Sequence, residues 1–219
     1  MNTSTSTQPA SSARRSSLRT CVLALALLLL GAQPSFALSV KTPSASDGTY
    51  STKVRVTWAK SKGASKYKVF RSTTPYWSNR VLVKTVKSGT RAINDTSAVP
   101  GVKYYYWVCP VGRSYWYYNT GRYDAGTRGI PVPTPSVYRY YDHVTVSWSA
   151  QYGAKSYRVY RSTSPSFSTA WTPYYTTTST SFSDYGLYDG VTYYYWVCPV
   201  GKDFEFYNRC AWTSGWLAY

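Results

Sequence analysis

Gly190-Val-Thr-Tyr-Tyr-Tyr-Trp-Val-Cys-Pro-Val-Gly201 decides the fold of this chain, because it occurs twice. The earlier copy, Gly101-Val-Lys-Tyr-Tyr-Tyr-Trp-Val-Cys-Pro-Val-Gly112, differs at one position of twelve and lies 89 residues upstream. Its centre, Tyr-Tyr-Tyr-Trp-Val, is aromatic or β-branched throughout and is bounded by Gly and Pro, which is the composition of a β-strand. Two copies imply two similar units, each built around this strand.

The flanking sequence repeats in register. Val54, Val56 and Trp58 alternate with Lys53, Arg55 and Thr57, the pattern of a half-buried strand, and Val144, Val146 and Trp148 match them at an offset of 90. Gly63 to Pro75, with Tyr67 and Val69 alternating with lysines, matches Gly153 to Pro165 at the same offset. Weaker strands are expected around Val81-Leu-Val83 and Arg91-Ala-Ile93, and a hairpin through Arg113 to Tyr118 leads to a last strand near Arg122 to Thr127. About seven short strands per unit result, so the fold class is all-β. The units are placed at residues 38–130 and 136–219. Between them Ile130-Pro-Val-Pro-Thr-Pro135 has prolines at alternate positions, and residues 131–135 read as a stiff linker holding the units end to end.

Residues 1–37 read as an export signal. Arg14, Arg15 and Arg19 precede a mostly apolar run from Cys21 to Ala32, too short to span a bilayer, and Ser35-Phe-Ala37 suits cleavage after Ala37. An uncleaved anchor is the alternative. The mature chain is then expected outside the cell or on its envelope, with no transmembrane segment of its own.

The formal charge of +17 is unevenly divided. From Lys41 to Ile130 there are 16 Lys and Arg against three acids, a balance of +13; from Pro131 to Tyr219 there are six against five, or +1. If the chain has an anionic partner, the first unit holds it; the alternative is that the charge serves solubility.

These motifs resemble the fibronectin type III domain. The resemblance rests on Val-x-Val-x-Trp (Val54, Val56, Trp58; Val144, Val146, Trp148), Tyr-x-Val (Tyr67, Val69; Tyr157, Val159) and Gly-x-x-Tyr-x-Tyr-x-Val (Gly101, Tyr104, Tyr106, Val108; Gly190, Tyr193, Tyr195, Val197). The Tyr-Arg-Ser-Thr-Ser-Pro run is most similar to bacterial secreted versions. It implies two immunoglobulin-like β-sandwiches in tandem, Trp58 and Trp148 in the cores, and Tyr104 and Tyr193 tying a corner through their hydroxyls. It implies no particular ligand.

Catalytic chemistry has little to work with. His143 is the one histidine and has no partner visible in the sequence, so it reads as a surface residue. Asp203 and Glu205 form an i, i+2 carboxylate pair, but beside Lys202 at a hairpin tip they read as a solvated loop. Neither a cofactor nor a metal site is implied, since three cysteines and one histidine scattered over two units lack zinc-ligand spacing. In an antiparallel hairpin turning near Phe204, Cys198 falls opposite Cys210, close enough for a disulfide, whereas the position matching Cys210 in the first unit is Gly121. A Cys198–Cys210 bridge is expected, with Cys109 free or intermolecular.

Alternation also yields a binding face. With Tyr104, Tyr106 and Val108 turned inward, Tyr105 and Trp107 turn outward beside Lys66 and Lys68; the second unit presents Arg158, Tyr160, Tyr194 and Trp196. Outward aromatics stack on sugars while ammonium groups take carboxylate or sulfate. The expectation is a secreted, non-catalytic binding or adhesion module for an anionic polysaccharide or envelope polymer, nucleic acid being a poor fit to an exported protein. The alternative is a structural spacer whose outward aromatics only cover one another.

Overall fold

A computed structural model describes residues 42–112, 122–170, 173–206 and 209–218. The proposed export signal and the hairpin at Arg113–Tyr118 lie outside the described residues.

The first repeat forms β1 (Ser44–Ala45), β2 (Val54–Thr57), β3 (Lys66–Ser72), β4 (Val81–Lys87), β5 (Ala92–Asp95), β6 (Lys103–Val111) and β7 (Asp124–Thr127). The second repeats the order with β8 (Ser136–Arg139), β9 (Val144–Ser147), β10 (Ser156–Ser162), β11 (Tyr175–Thr177), β12 (Ser181–Asp184), β13 (Tyr193–Val200) and β14 (Ala211–Gly215). Each repeat is a sandwich of a three-stranded sheet, β1-β2-β5 or β8-β9-β12, on a four-stranded sheet, β4-β3-β6-β7 or β11-β10-β13-β14. Every strand pair within these sheets is antiparallel.

The two repeated motifs are the central strands of the larger sheets. Their inward residues form separate cores: Val54, Val56, Trp58, Tyr67, Val69, Tyr106 and Val108 in the first sandwich, and Val144, Val146, Trp148, Tyr157, Val159, Tyr195 and Val197 in the second. Period-two alternation places these side chains on one side of each sheet, and burying them removes most of the apolar surface the strands carry. The tyrosines also tie loops down. The hydroxyl of Tyr104 accepts the backbone N–H of Val99 at 3.4 Å, and that of Tyr193 accepts the N–H of Tyr188 at 3.2 Å, as the resemblance implied.

The sandwiches are joined by more than a spacer. The loop between β13 and β14 packs on the end of the first sandwich, where Asp203 N–H donates to the Gly101 carbonyl and Asp203 Oδ2 accepts the N–H of Lys103 at 2.9 Å. Arg209 donates from Nη2 to the carbonyls of Gly48 and Thr49, both at 2.7 Å. Gly101 (φ 73°) is needed here twice over: its left-handed conformation favours glycine, and a Cβ would come within 2.8 Å of the Gly201 Cα. Gly48 (φ 64°) likewise leaves room for the buried ring of Phe206, which would lie 2.7 Å from a Cβ. The Asp203–Glu205 segment is therefore an interface rather than a solvated loop. Ile130 is fully buried beside Gly101, and Pro133 is buried as well.

The docking loop is held by a covalent clamp. Pairing of Val197 with Ala211 and Trp196 with Trp212 puts Cys198 directly opposite Cys210, and the two form a disulfide with Cα atoms 4.2 Å apart. Arg158 on β10 forms an ion pair with Glu205 at the loop's other side. Cys109, at the position equivalent to Cys198, is buried.

A crosslink over this short separation removes loop-closure entropy worth about 3 kcal/mol from the unfolded chain. Accordingly the Cys198→Ala/Cys210→Ala variant should unfold in urea with the second sandwich about 3 kcal/mol less stable, as followed by tryptophan fluorescence.

Candidate functional site

The outward residues of the central strands do not form the wet aromatic face that alternation suggests. Trp107 is 0% exposed and Trp196 4%, and Tyr160, Phe70, Cys109 and Cys198 are buried with them. Tyr105 and Tyr194 are half-buried. Both faces carry a second, smaller core: Phe70, Trp107 and Cys109 in one sandwich, and Tyr160, Ala170, Trp196 and Cys198 in the other.

What seals them is the segment after β3 and its copy after β10. A single 3-10 turn, Trp77–Asn79 or Phe167–Thr169, folds back over the sheet. The Trp77 ring meets Phe70 edge-on at 5.4 Å and Trp107 at 5.8 Å, and the Arg80 guanidinium lies 3.8 Å above Trp77. Tyr123 closes the other flank of Trp107 at 5.4 Å. In the second sandwich Phe167 contacts Tyr160 at 5.3 Å and Trp196 at 5.7 Å. Trp107, Trp196 and Tyr160 thus leave the candidate binding set, because edge-to-face packing of large rings is worth more than their exposure. The signal for the flap was in the sequence: Trp77 and Phe167 are aromatic at the same offset of 90, two residues beyond Pro75 and Pro165.

Lysines remain on this face. Lys66 and Lys87 are paired directly across β3 and β4, both exposed, and half-buried Lys68 lies next along the same side opposite Thr85. Like charges placed directly opposite destabilise a sheet. No acid occurs anywhere between Gly48 and Asn94, a stretch with eleven Lys and Arg. The described acids of the repeat lie elsewhere: Asp95 is buried on β5, Asp124 on β7 accepts the N–H of Ala45, and Asp47 bridges to the end of β7. In the second sandwich the position of Lys66 is Ser156, and Arg158, in place of Lys68, is ion-paired to Glu205. The basic patch therefore belongs to the first sandwich.

A second constellation, buried and duplicated, was not anticipated from sequence. Arg71 Nη1 meets Asp95 Oδ2 at 2.5 Å, and the Tyr106 hydroxyl donates to the same oxygen at 2.9 Å. Arg161 Nη1 lies 3.0 Å from both oxygens of Asp184, and the hydroxyls of Tyr195 and Tyr174 donate to that carboxylate at 2.8 and 3.1 Å. Burial raises the Asp95 carboxyl, but hydrogen bonds from Ser97, Arg71 and Tyr106 and the Arg71 charge outweigh it and hold the group below its usual range. Burial, and then the neighbouring carboxylate, push the Tyr106 and Tyr195 phenols well above their ordinary value of 10.0. These are satisfied ionic anchors between the sheets.

Among the described residues there is no cluster of three metal-ligating side chains and no helix long and apolar enough to cross a membrane. Neither a protein-family model nor a curated protein sequence matches the chain. A two-domain fibronectin type III segment of chicken tenascin matches 80% of this chain and 97% of its own length, with a TM-score of 0.61 and 18% identity. An Fn3-like protein from Clostridium thermocellum is 26% identical over 41% of this chain and 90% of its own, with a TM-score of 0.35. The interferon gamma receptor alpha chain of chicken covers 84% of this chain and 100% of its own at 13% identity, with a TM-score of 0.47. The tenascin match carries the fold: the chain has the tandem fibronectin type III fold.

Two outcomes follow from the packing. Trp107→Ala should lower the stability of the first sandwich by about 3–5 kcal/mol in chemical denaturation, the cost of emptying a large buried site. A phenol whose folded pKa is raised contributes stability below about pH 10 that is lost as the pH climbs past it. Thermal melts should therefore fall steeply above about pH 10, and Tyr106→Phe/Tyr195→Phe should flatten that fall.

Proposed function

We propose that the chain is an exported, non-catalytic binding module that takes an anionic polysaccharide or envelope polymer on the basic face of its first sandwich. The observation that carries this reading is the Lys66–Lys87 cross-strand pair with Lys68 beside it, in a stretch without a single acid. An anion lying along β3 and β4 would meet Lys66, Lys68 and Lys87 together. Recognition is electrostatic, with ammonium groups as point charges on flexible stems, suited to a sulfated or carboxylated chain of loose geometry. The aromatic contribution expected from Trp107 falls away, since that ring holds the sheet to its flap.

The second reading is a rigid spacer, and the joint favours it. Asp203, Arg209 and the Gly101–Gly201 contact fix one sandwich on the other, as a distance-setting element requires. The two readings separate on immobilised heparin, a sulfated polysaccharide. Each lysine near an anionic surface contributes about 1 kcal/mol. The Lys66→Ala/Lys68→Ala/Lys87→Ala chain should then bind on the order of a hundredfold more weakly and elute at clearly lower NaCl than the parent. Identical elution of the two proteins would leave only the spacer.

A further inference from the structure

The three-stranded sheet of the second sandwich has an outer face made of hydroxyls and stacked rings. The pairing sets its residues in three rungs. Ser136, Ser147 and Ser181 lie side by side across β8, β9 and β12; Tyr138, Thr145 and Ser183 form the next rung. Beyond the strand ends a third rung is built from rings: His143 is stacked on Tyr140 at 4.3 Å with planes 6° apart, and on Tyr185 at 4.5 Å with planes 27° apart. Strand spacing is about 4.8 Å and the distance between rungs about 6.8 Å, so nine side chains make a grid on one nearly flat surface.

None of the nine carries a fixed charge, in a chain whose formal charge is +17. In the first sandwich Lys53 and Arg55 stand where His143 and Thr145 stand here, and Asn94 is opposite Arg55. The neutral grid is thus particular to the second sandwich. Its hydroxyls are already oriented: Thr145 Oγ1 lies 2.9 Å from Ser183 Oγ and Ser136 Oγ 3.3 Å from Ser147 Oγ, while each hydroxyl keeps further hydrogen-bonding capacity. The ring rung is fixed too, because Asp142 Oδ1 lies 2.7 Å from His143 Nδ1. Tyr138 and Tyr185 are 59% and 64% exposed and offer ring surface at the grid's margins.

From this we infer that the outer face of β8-β9-β12 binds an uncharged polysaccharide. A polyanion finds no cation on the grid and meets Asp142 at its edge. Hot spots for protein partners are poor in Ser and Thr, and five of the nine positions are Ser or Thr. A neutral sugar chain offers the complement. Its hydroxyls replace the water now held by the serines and threonines, and its C–H faces lie on the tyrosine rings. Because four of the hydroxyls and the three stacked rings are already held by one another, those side chains lose little conformational freedom on binding. This surface is separate from the basic face of the first sandwich and does not depend on it.

The test is co-sedimentation of the purified chain with two insoluble neutral polymers, chitin and amorphous cellulose, in 1 M NaCl. The chain should pellet with at least one of them, and Tyr138→Ala/Tyr185→Ala should reduce the bound fraction at least tenfold while heparin elution and the circular dichroism spectrum stay unchanged. Thr145→Lys, which puts a charge into the middle rung of an exposed face, should act in the same direction. Several results would overturn the inference: no sedimentation with either polymer, equal sedimentation of parent and variants, or binding that 1 M NaCl abolishes. A parent that is dimeric in solution and made monomeric by the same variants would overturn it too, by showing a copy of the chain on that face. Loss of heparin binding alone would strike the basic face and leave the grid standing.

Discussion

Each sandwich depends on a central strand with no wet side. On β6 and β13, Tyr, Val and Tyr turn into the space between the sheets, while Trp107 or Trp196 and the adjacent cysteine turn the other way and are buried just as fully. A strand in the usual antiparallel sandwich shows water one of its faces. Here that face would expose an indole, and the chain covers it with its own loop. The Trp77 and Phe167 flaps follow from this.

The same packing redistributes the functional surface. With the aromatics of the larger sheets committed to holding the flaps, the accessible chemistry of that face shrinks to its lysines, and these are concentrated on the first sandwich. The second sandwich has neutralised the corresponding position with the Arg158–Glu205 ion pair, and the loop bearing Glu205 serves the joint. A disulfide behind that loop, Cys198–Cys210, is spent on the half of the molecule that must grip the other half. Two copies of one scaffold have thus taken different tasks, one keeping charge and the other supplying the clamp.

Much of this was legible in the residues themselves. Strand positions, the inward set from Val54 to Val197 and the Cys198–Cys210 pairing follow from spacing and from antiparallel register, which are local and periodic properties, while the corner tyrosines came from the resemblance to the type III domain. The buried Arg71–Asp95–Tyr106 and Arg161–Asp184–Tyr195 sets were not, although each residue recurs at the repeat offset. Their members come from three strands of two different sheets, and nothing along the chain says that β3, β5 and β6 bring those groups to one point.

The linear sequence by itself determined a doubled all-β body and the side of the sheet toward which each aromatic turns, because strand periodicity ties direction to residue number. Only the tertiary structure decided whether that side met water, another sheet or a loop. Trp107 and Tyr138 show the difference: both turn away from a core, yet one is sealed under Trp77 and the other stands open beside Thr145. Direction is a property of a strand, whereas exposure depends on every segment that folds over it.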